Sequence, residues 1–279
     1  MKKILVIGVV IILLLTGCTT GNNSEQGLNQ GAEIIWGTDD IIIDTYMPVG
    51  EGRGLNIPFA YRSGRDNISL VELIGQNTDA IDMRLVDDTF ETIKDLEIDG
   101  YKLGYLGGLF DFKIAKEVII EAMKININGK IENIVFDKPL VIRPCENAGE
   151  VIELMAADTV FGEKKSQLSY VVSGLDGAII TDYGFIGAYN KGKTVTYIDK
   201  VETNLNNLVI HEDNQVKFDI ECTRSDENEN STMLGNFYFK YLDNEGNEQI
   251  YYFPLAQQGI GNETDGIIAL KELLGIEGK

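Results

Sequence analysis

The stretch Gly187-Ala188-Tyr189-Asn190-Lys191-Gly192-Lys193-Thr194 satisfies every fixed position of G-x-x-x-x-G-K-[ST], the spacing of a phosphate-binding loop. That chemistry needs the loop to open a helix, whose N-terminal amides then face the phosphates. Here Val195-Thr196-Tyr197-Ile198 follows, a β-branched and aromatic run suited to a strand. Asn190-Lys191-Gly192-Lys193 is therefore expected to be a hairpin turn, and no nucleotide is expected to bind. Asp243-Asn244-Glu245-Gly246-Asn247-Glu248 has the composition of a calcium loop, but its glycine stands fourth where the sixth is needed, and Pro254 holds the place of the closing glutamate. It too reads as a hairpin turn. Gly50-Glu51-Gly52-Arg53-Gly54 misplaces the third glycine of a dinucleotide fingerprint. His211 is the only histidine, which excludes metal sites that need two. His211-Glu212-Asp213-Asn214 reads as an exposed turn.

Carboxylates are abundant, so neighbours such as Asp39-Asp40, Asp87-Asp88 and Asp226-Glu227 carry little information. A glycosidase needs two acids facing each other across about 5–9 Å, whereas neighbours on a strand point to opposite faces. Ser225 to Ser231 is an acidic insert, expected to be a solvated loop. Phe237, Phe239 and Tyr241 alternate with Tyr238 and Lys240, and Tyr251-Tyr252-Phe253 lies across the turn. If one alternating set is core, the other puts tyrosines on a sheet surface, either as cross-strand pairs or as a place where sugars stack.

The elements that must position these residues begin with a segment that is removed. Met1-Lys2-Lys3 is a positive n-region, Ile4 to Leu15 an apolar h-region shorter than the roughly 20 residues of a permanent span, and Leu15-Thr16-Gly17-Cys18 closes it. This closing tetrapeptide resembles the lipobox of bacterial prolipoproteins. The resemblance implies a cleaved signal peptide at 1–17, diacylglycerol on the Cys18 thiol, and an extracytoplasmic protein anchored to the cell membrane through its N-terminus. Residues 18–32 have almost nothing to bury and read as a flexible tether. Removing Lys2 and Lys3 from the 24 basic residues leaves 22 against 44 acidic ones, a net charge of −22. Such a surface repels nucleic acid and anionic headgroups.

From Glu33 the pattern is short β-like runs separated by turn residues. Ala32-Glu33-Ile34-Ile35 is matched by Gly149-Glu150-Val151-Ile152, Ser63-Gly64 by Ser173-Gly174, Ile74-Gly75 by Ile186-Gly187, Phe110-Asp111-Phe112 by Phe218-Asp219-Ile220, and the turn at 127–130 by that at 243–246. The order is the same and the offsets stay between 108 and 117 residues, which suggests a duplication. The expected fold is mainly β, two tandem immunoglobulin-like β-sandwiches at 33–145 and 149–279, each closing its own two-sheet core with no sheet running across. Pro144 to Gly149 should be an exposed boundary. Few short helices are expected, at Thr89 to Leu96 behind a capping box and at Asp265 to Leu274, stopped by Gly275. Ala115 to Lys124 fits neither period well. Cys145 and Cys222 are read as two separate buried thiols.

These readings point to a binding or scaffolding protein of the bacterial cell envelope, its ligand a protein or a glycan, without catalytic, cofactor-binding or metal-ligating residues. The alternative is a cell-surface hydrolase that uses carboxylates and a divalent cation.

Overall fold

Turn residues cut the chain into strands of alternating burial, and the computed structural model describes residues 34–39, 41–62, 68–86, 96–146, 153–160, 165–173, 175, 177–187, 191–198, 201–204, 208–211, 216–223, 232–257 and 263–276. The signal peptide, Cys18, the tether, residues 89–95 of the capping-box helix, Ser63-Gly64, residues 149–152, Glu212–Asn214 and Ser225–Ser231 lie outside them.

In the first half the strands are β1 (Ile34–Trp36), β2 (Ile41–Pro48), β3 (Arg53–Tyr61), β4 (Ile68–Gln76), β5 (Ile81–Leu85), β6 (Glu97–Ile98), β7 (Tyr101–Phe112), β8 (Val118–Ile127) and β9 (Lys130–Cys145). In the second they are β10 (Glu153–Val160), β11 (Lys165–Ser173), β12 (Ile179–Ile186), β13 (Lys191–Ile198), β14 (Val201–Thr203), β15 (Leu208–Val209), β16 (Val216–Thr223), β17 (Thr232–Leu242) and β18 (Glu248–Gln257), followed by helix α1 (Glu263–Leu273). The protein is mainly β. Ala115 to Lys124 resolves as strand, because Val118, Ile120, Met123 and Ile125 all turn into one core. Helix α1 falls where the sequence places one, with Gly275 in the left-handed conformation just after it.

Three sheets form two sandwiches. Sheet I has the order β1-β3-β7-β5, with β6 on β7. It packs on β2, β9, β8 and β4 around a core that includes Ile57, Phe59, Phe110, Ile120 and Phe136. Sheet III has the order β10-β11-β16-β13-β14 and packs on β12, β17 and β18 around Phe218, Phe237, Phe239 and Phe253. The strand orders β1-β3-β7-β5 and β10-β11-β16-β13 correspond, as do β4-β8-β9 and β12-β17-β18. Three landmark pairs fall on corresponding elements: the Ile-Gly pairs at the ends of β4 and β12, the Phe-Asp pairs on β7 and β16, and the β8–β9 and β17–β18 turns.

The Ile-Gly repeat has a backbone cause. Gly187 has φ +84°, and a Cβ there would lie 2.5 Å from the Asp44 carbonyl oxygen. Gly75 has φ +150°, with the Ile119 carbonyl oxygen 2.0 Å from the same position. Both mark the point where the chain leaves one sheet for the other. Gly187→Ala is expected to cost about 2 kcal/mol in urea unfolding through strain and displacement of β2; a variant as stable as wild type would show that β2 does not hold this carbonyl in place.

Several expectations are corrected. One sheet does run across both halves, because β17 pairs in parallel with β2 (Thr232↔Ile41, Met233↔Ile42, Leu234↔Ile43) and β2 pairs in parallel with β9. Sheet II is therefore continuous in the order β15-β12-β17-β2-β9-β8-β4, with β18 on β17. Leu234 enters the first core and Ile42 packs against the second. Pro144 does not break the chain. It lies in β9 beyond the last β8 pairing, at Ile142, where β2 is the one partner strand left, an edge-like position that tolerates proline. Of the expected exposed boundary, Pro144 and Cys145 are half-buried, Glu146 is exposed, and residues 147–149 lie outside the described residues. Finally, Lys191, Gly192 and Lys193 are no hairpin turn: they lie in β13, which belongs to a different sheet from β12, while Asn190 lies outside the described residues.

Candidate functional site

Sequence alternation on β17 translates directly into two faces. Phe237, Phe239 and Tyr241 are buried, while Tyr238 and Lys240 are half-buried on the other side. Tyr238 sits opposite Gly184 on β12 and opposite Tyr252 on β18. A Cβ on Gly184 would come within 2.8 Å of the Tyr238 hydroxyl, so the glycine makes room for this side chain. Tyr252 lies 6.4 Å from Tyr238 between ring centres, and stacks on Tyr46 of β2 at 4.3 Å with only 7° between planes. The Arg143 guanidinium of β9 stands 5.4 Å from the Tyr46 ring centre. Four strands thus supply one strip of three tyrosines and an arginine, with β12 making room for it, where the two sandwiches meet.

Charge and hydrogen bonding fix the strip at both ends. Arg143 binds the Asp44 carboxylate, and its Nε donates to Glu117 at 2.9 Å. Burial works against the arginine's charge, but the bond to Asp44 and the surrounding carboxylates outweigh it and raise its pKa. At the other end Lys240 faces Asp182 across 3.7 Å. Between them, the buried Asn236 clamps β2 after its ladder to β17 has ended. The Tyr46 N–H donates to Asn236 Oδ1 at 2.6 Å, Asn236 Nδ2 donates to the Tyr46 carbonyl at 2.9 Å, and Thr45 Oγ1 donates to Oδ1 at 3.1 Å. Burial, then Tyr46 and Cys145, push the Tyr252 hydroxyl up to about 12. Burial and then Glu51 push the Cys145 thiol up to about 12 as well, so it is a poor nucleophile. Cys145 is half-buried and forms no disulfide.

The parallel stack turns the faces of Tyr46 and Tyr252 toward each other, so this pair is no flat stacking platform for sugars. Tyr238, Asp182 and Lys240 remain as half-buried or exposed groups on the surface beside it.

The motifs singled out in the sequence do not converge on this strip. Gly192, Lys193 and Thr194 run along β13 with no helix to supply amides. His211 is exposed just after β15. The 243–248 segment is the tight β17–β18 turn: the amides of Glu245 and Asn247 donate to Asp243 Oδ1 at 3.0 and 2.8 Å. The backbone bond from Asn247 leads the effects that lower the Asp243 pKa. Among the described residues no three His, Cys, Asp or Glu side chains gather as metal ligands. Among them, too, no helix is long and apolar enough to cross a membrane.

One carboxyl pair does form. Asp39 has a raised pKa, through burial first and then the charge and hydrogen bond of Asp137. Hydrogen-bonded acids are closer than the 5–9 Å a glycosidase needs, and both are exposed. A raised native pKa means stability that is fully present below the unfolded value of 3.8 and lost as pH rises through the native one. Asp137→Asn is therefore expected to raise the melting temperature at about pH 7, with the gain shrinking as pH falls toward 3.8. Thermal melts at the two pH values that show an equal or opposite change would refute it.

Sequence reading singled out Tyr238 and Tyr252 but missed Tyr46, Asn236, Arg143 and Asp44. Tyr46 and Asn236 are 190 positions apart, and no local pattern signals that distance.

No protein-family model matches the chain, and no curated protein matches it. Among solved structures it is similar to the secreted serine protease VesC from Vibrio cholerae, at 10% identity and a TM-score of 0.20 over 80% of this chain and 52% of that one. The chain thus spans about half the length of VesC. It is also similar to the collagen-binding domain of surface protein RspB from Erysipelothrix rhusiopathiae, at 9% identity and 0.25 over 80% and 92%. A third is the collagen adhesin CNA from S. aureus, at 7% and 0.21 over 80% and 97%. At such scores these likenesses carry no inference about this chain.

Proposed function

We propose that this protein is a lipid-anchored binding or scaffolding protein on the extracytoplasmic face of a bacterial cell membrane, held by Cys18, with a protein or glycan as its ligand. The observation that carries the reading is Leu15-Thr16-Gly17-Cys18 directly behind a charged and apolar leader. Two sandwiches locked into one body give a rigid support for a surface site, and the strip around Tyr238 supports its placement. Aromatic rings flanked by Lys240, Asp182, Asp44 and Glu117 suit a ligand with both apolar and hydrogen-bonding parts. The net charge of −22 favours a partner with basic groups.

Cys18→Ser tests the anchor. The variant should take up no labelled fatty acid and should accumulate as uncleaved precursor or released protein; normal processing and membrane retention would refute the anchor. The purified variant also serves as a soluble probe of an oligosaccharide array and of cross-linking to surface proteins. Tyr238→Ser should weaken whichever interaction is found, and a ligand bound equally well by that variant would move the site elsewhere.

A further inference from the structure

The C-terminal helix does not serve the sandwich that precedes it. Ala269, Leu270 and Leu274 are buried in a third cluster with Ile35 of β1, Ala60 of β3, and Tyr101 and Leu103 of β7. These last residues lie on the outer side of sheet I, since their strand neighbours Phe59 and Leu106 fill the first core. Leu273 presses against the backbone beside Gly37, where a Cβ would meet its Cδ2 at 2.8 Å. Helix α1 thus covers an apolar face of the first half, and one cluster holds Ile35 and Leu270, 235 positions apart in sequence.

We propose that α1 is the closing piece of the first sandwich, and that sheet I reaches its stable form only when residues 263–276 dock on it. The physical grounds are three. An isolated helix of 11 residues is marginal in water, so α1 forms on the surface it covers. Contacts across so long a loop are entropically the last to form. Until they form, Ile35, Ala60, Tyr101 and Leu103 stay open to water, and the first half lacks one of its apolar layers. The first half emerges first during synthesis yet finishes last. That order keeps the first half loosely folded until residues 263–276 have been delivered, which suits export to the face on which the proposed function places it.

Hydrogen exchange of the full chain in detergent tests the docking itself, independently of the anchor or any ligand. During refolding, the amides of Ile35, Ala60 and Leu103 should gain protection last, in the same phase as α1. Leu270→Asp should make them exchange about 100-fold faster at equilibrium, as loss of a buried leucine's packing implies, while Phe239 and Phe253 keep their protection. Ile268→Asp, on the exposed side of the same helix, should change neither set. Three results would each overturn the proposal: protection of sheet I before α1, equal losses in the two variants, or loss of protection throughout the molecule in Leu270→Asp.

Discussion

Replacing Asn236 by leucine is expected to cost about 2–4 kcal/mol, because a side chain of similar size stays while two part-buried backbone groups lose their partner. The groups are the N–H and carbonyl of Tyr46, both held by the Asn236 amide. Leucine leaves little cavity, so the loss measures the unsatisfied polar groups and not missing volume. Asn236→Asp gives the matching control. Its carboxylate still accepts from the Tyr46 N–H but has no donor for the carbonyl, so the loss should be intermediate. Urea unfolding of the three proteins would decide, and Asn236→Leu as stable as wild type would show that β2 needs no clamp after Ile43.

Phe237→Ala is expected to cost about 3–5 kcal/mol, the range for an aromatic removed from a core that collapses only in part. Phe237 is fully buried. Its ring centre lies 5.5 Å from that of Phe185, 5.7 Å from Phe218 and 5.8 Å from Phe253. These separations are those of favourable aromatic pairs, so the loss should exceed what area alone predicts. Phe237→Leu should keep more than half of the stability, since it restores most of the volume. Equal losses in the two variants would mean that the core repacks freely around this position.

What could be read from the sequence was local or periodic. The alternation on β17 told core from surface because the side-chain period of a strand is two. The matched Ile-Gly pairs were visible because only glycine tolerates the conformation of Gly187. The Gly-Lys-Thr motif could be set aside because Val195 to Ile198 favours a strand. The junction could not be read. The pairing of Thr232–Leu234 with Ile41–Ile43 joins two apolar or β-branched runs, and nothing in either run names its partner. Nor could the destination of α1 be read, since the apolar stripe of a helix fits any apolar face and does not say which half supplies it. Pro144 was misread for a related reason: a proline breaks a ladder only where its N–H is needed, and that depends on which neighbours the strand has.

Among the described residues the strand β2 has no counterpart in the second half, where four residues, 161–164, separate β10 from β11. The two halves are therefore not interchangeable. Neither half carries all the strands that sheet II needs. A second half transplanted alone would leave the ladder edge of β17 at 232–234 bare, an invitation to pair with another chain. A first half transplanted alone would leave the matching edge of Ile41–Ile43 bare as well. The seam therefore protects two strand edges at once, and cutting the chain between the halves exposes both.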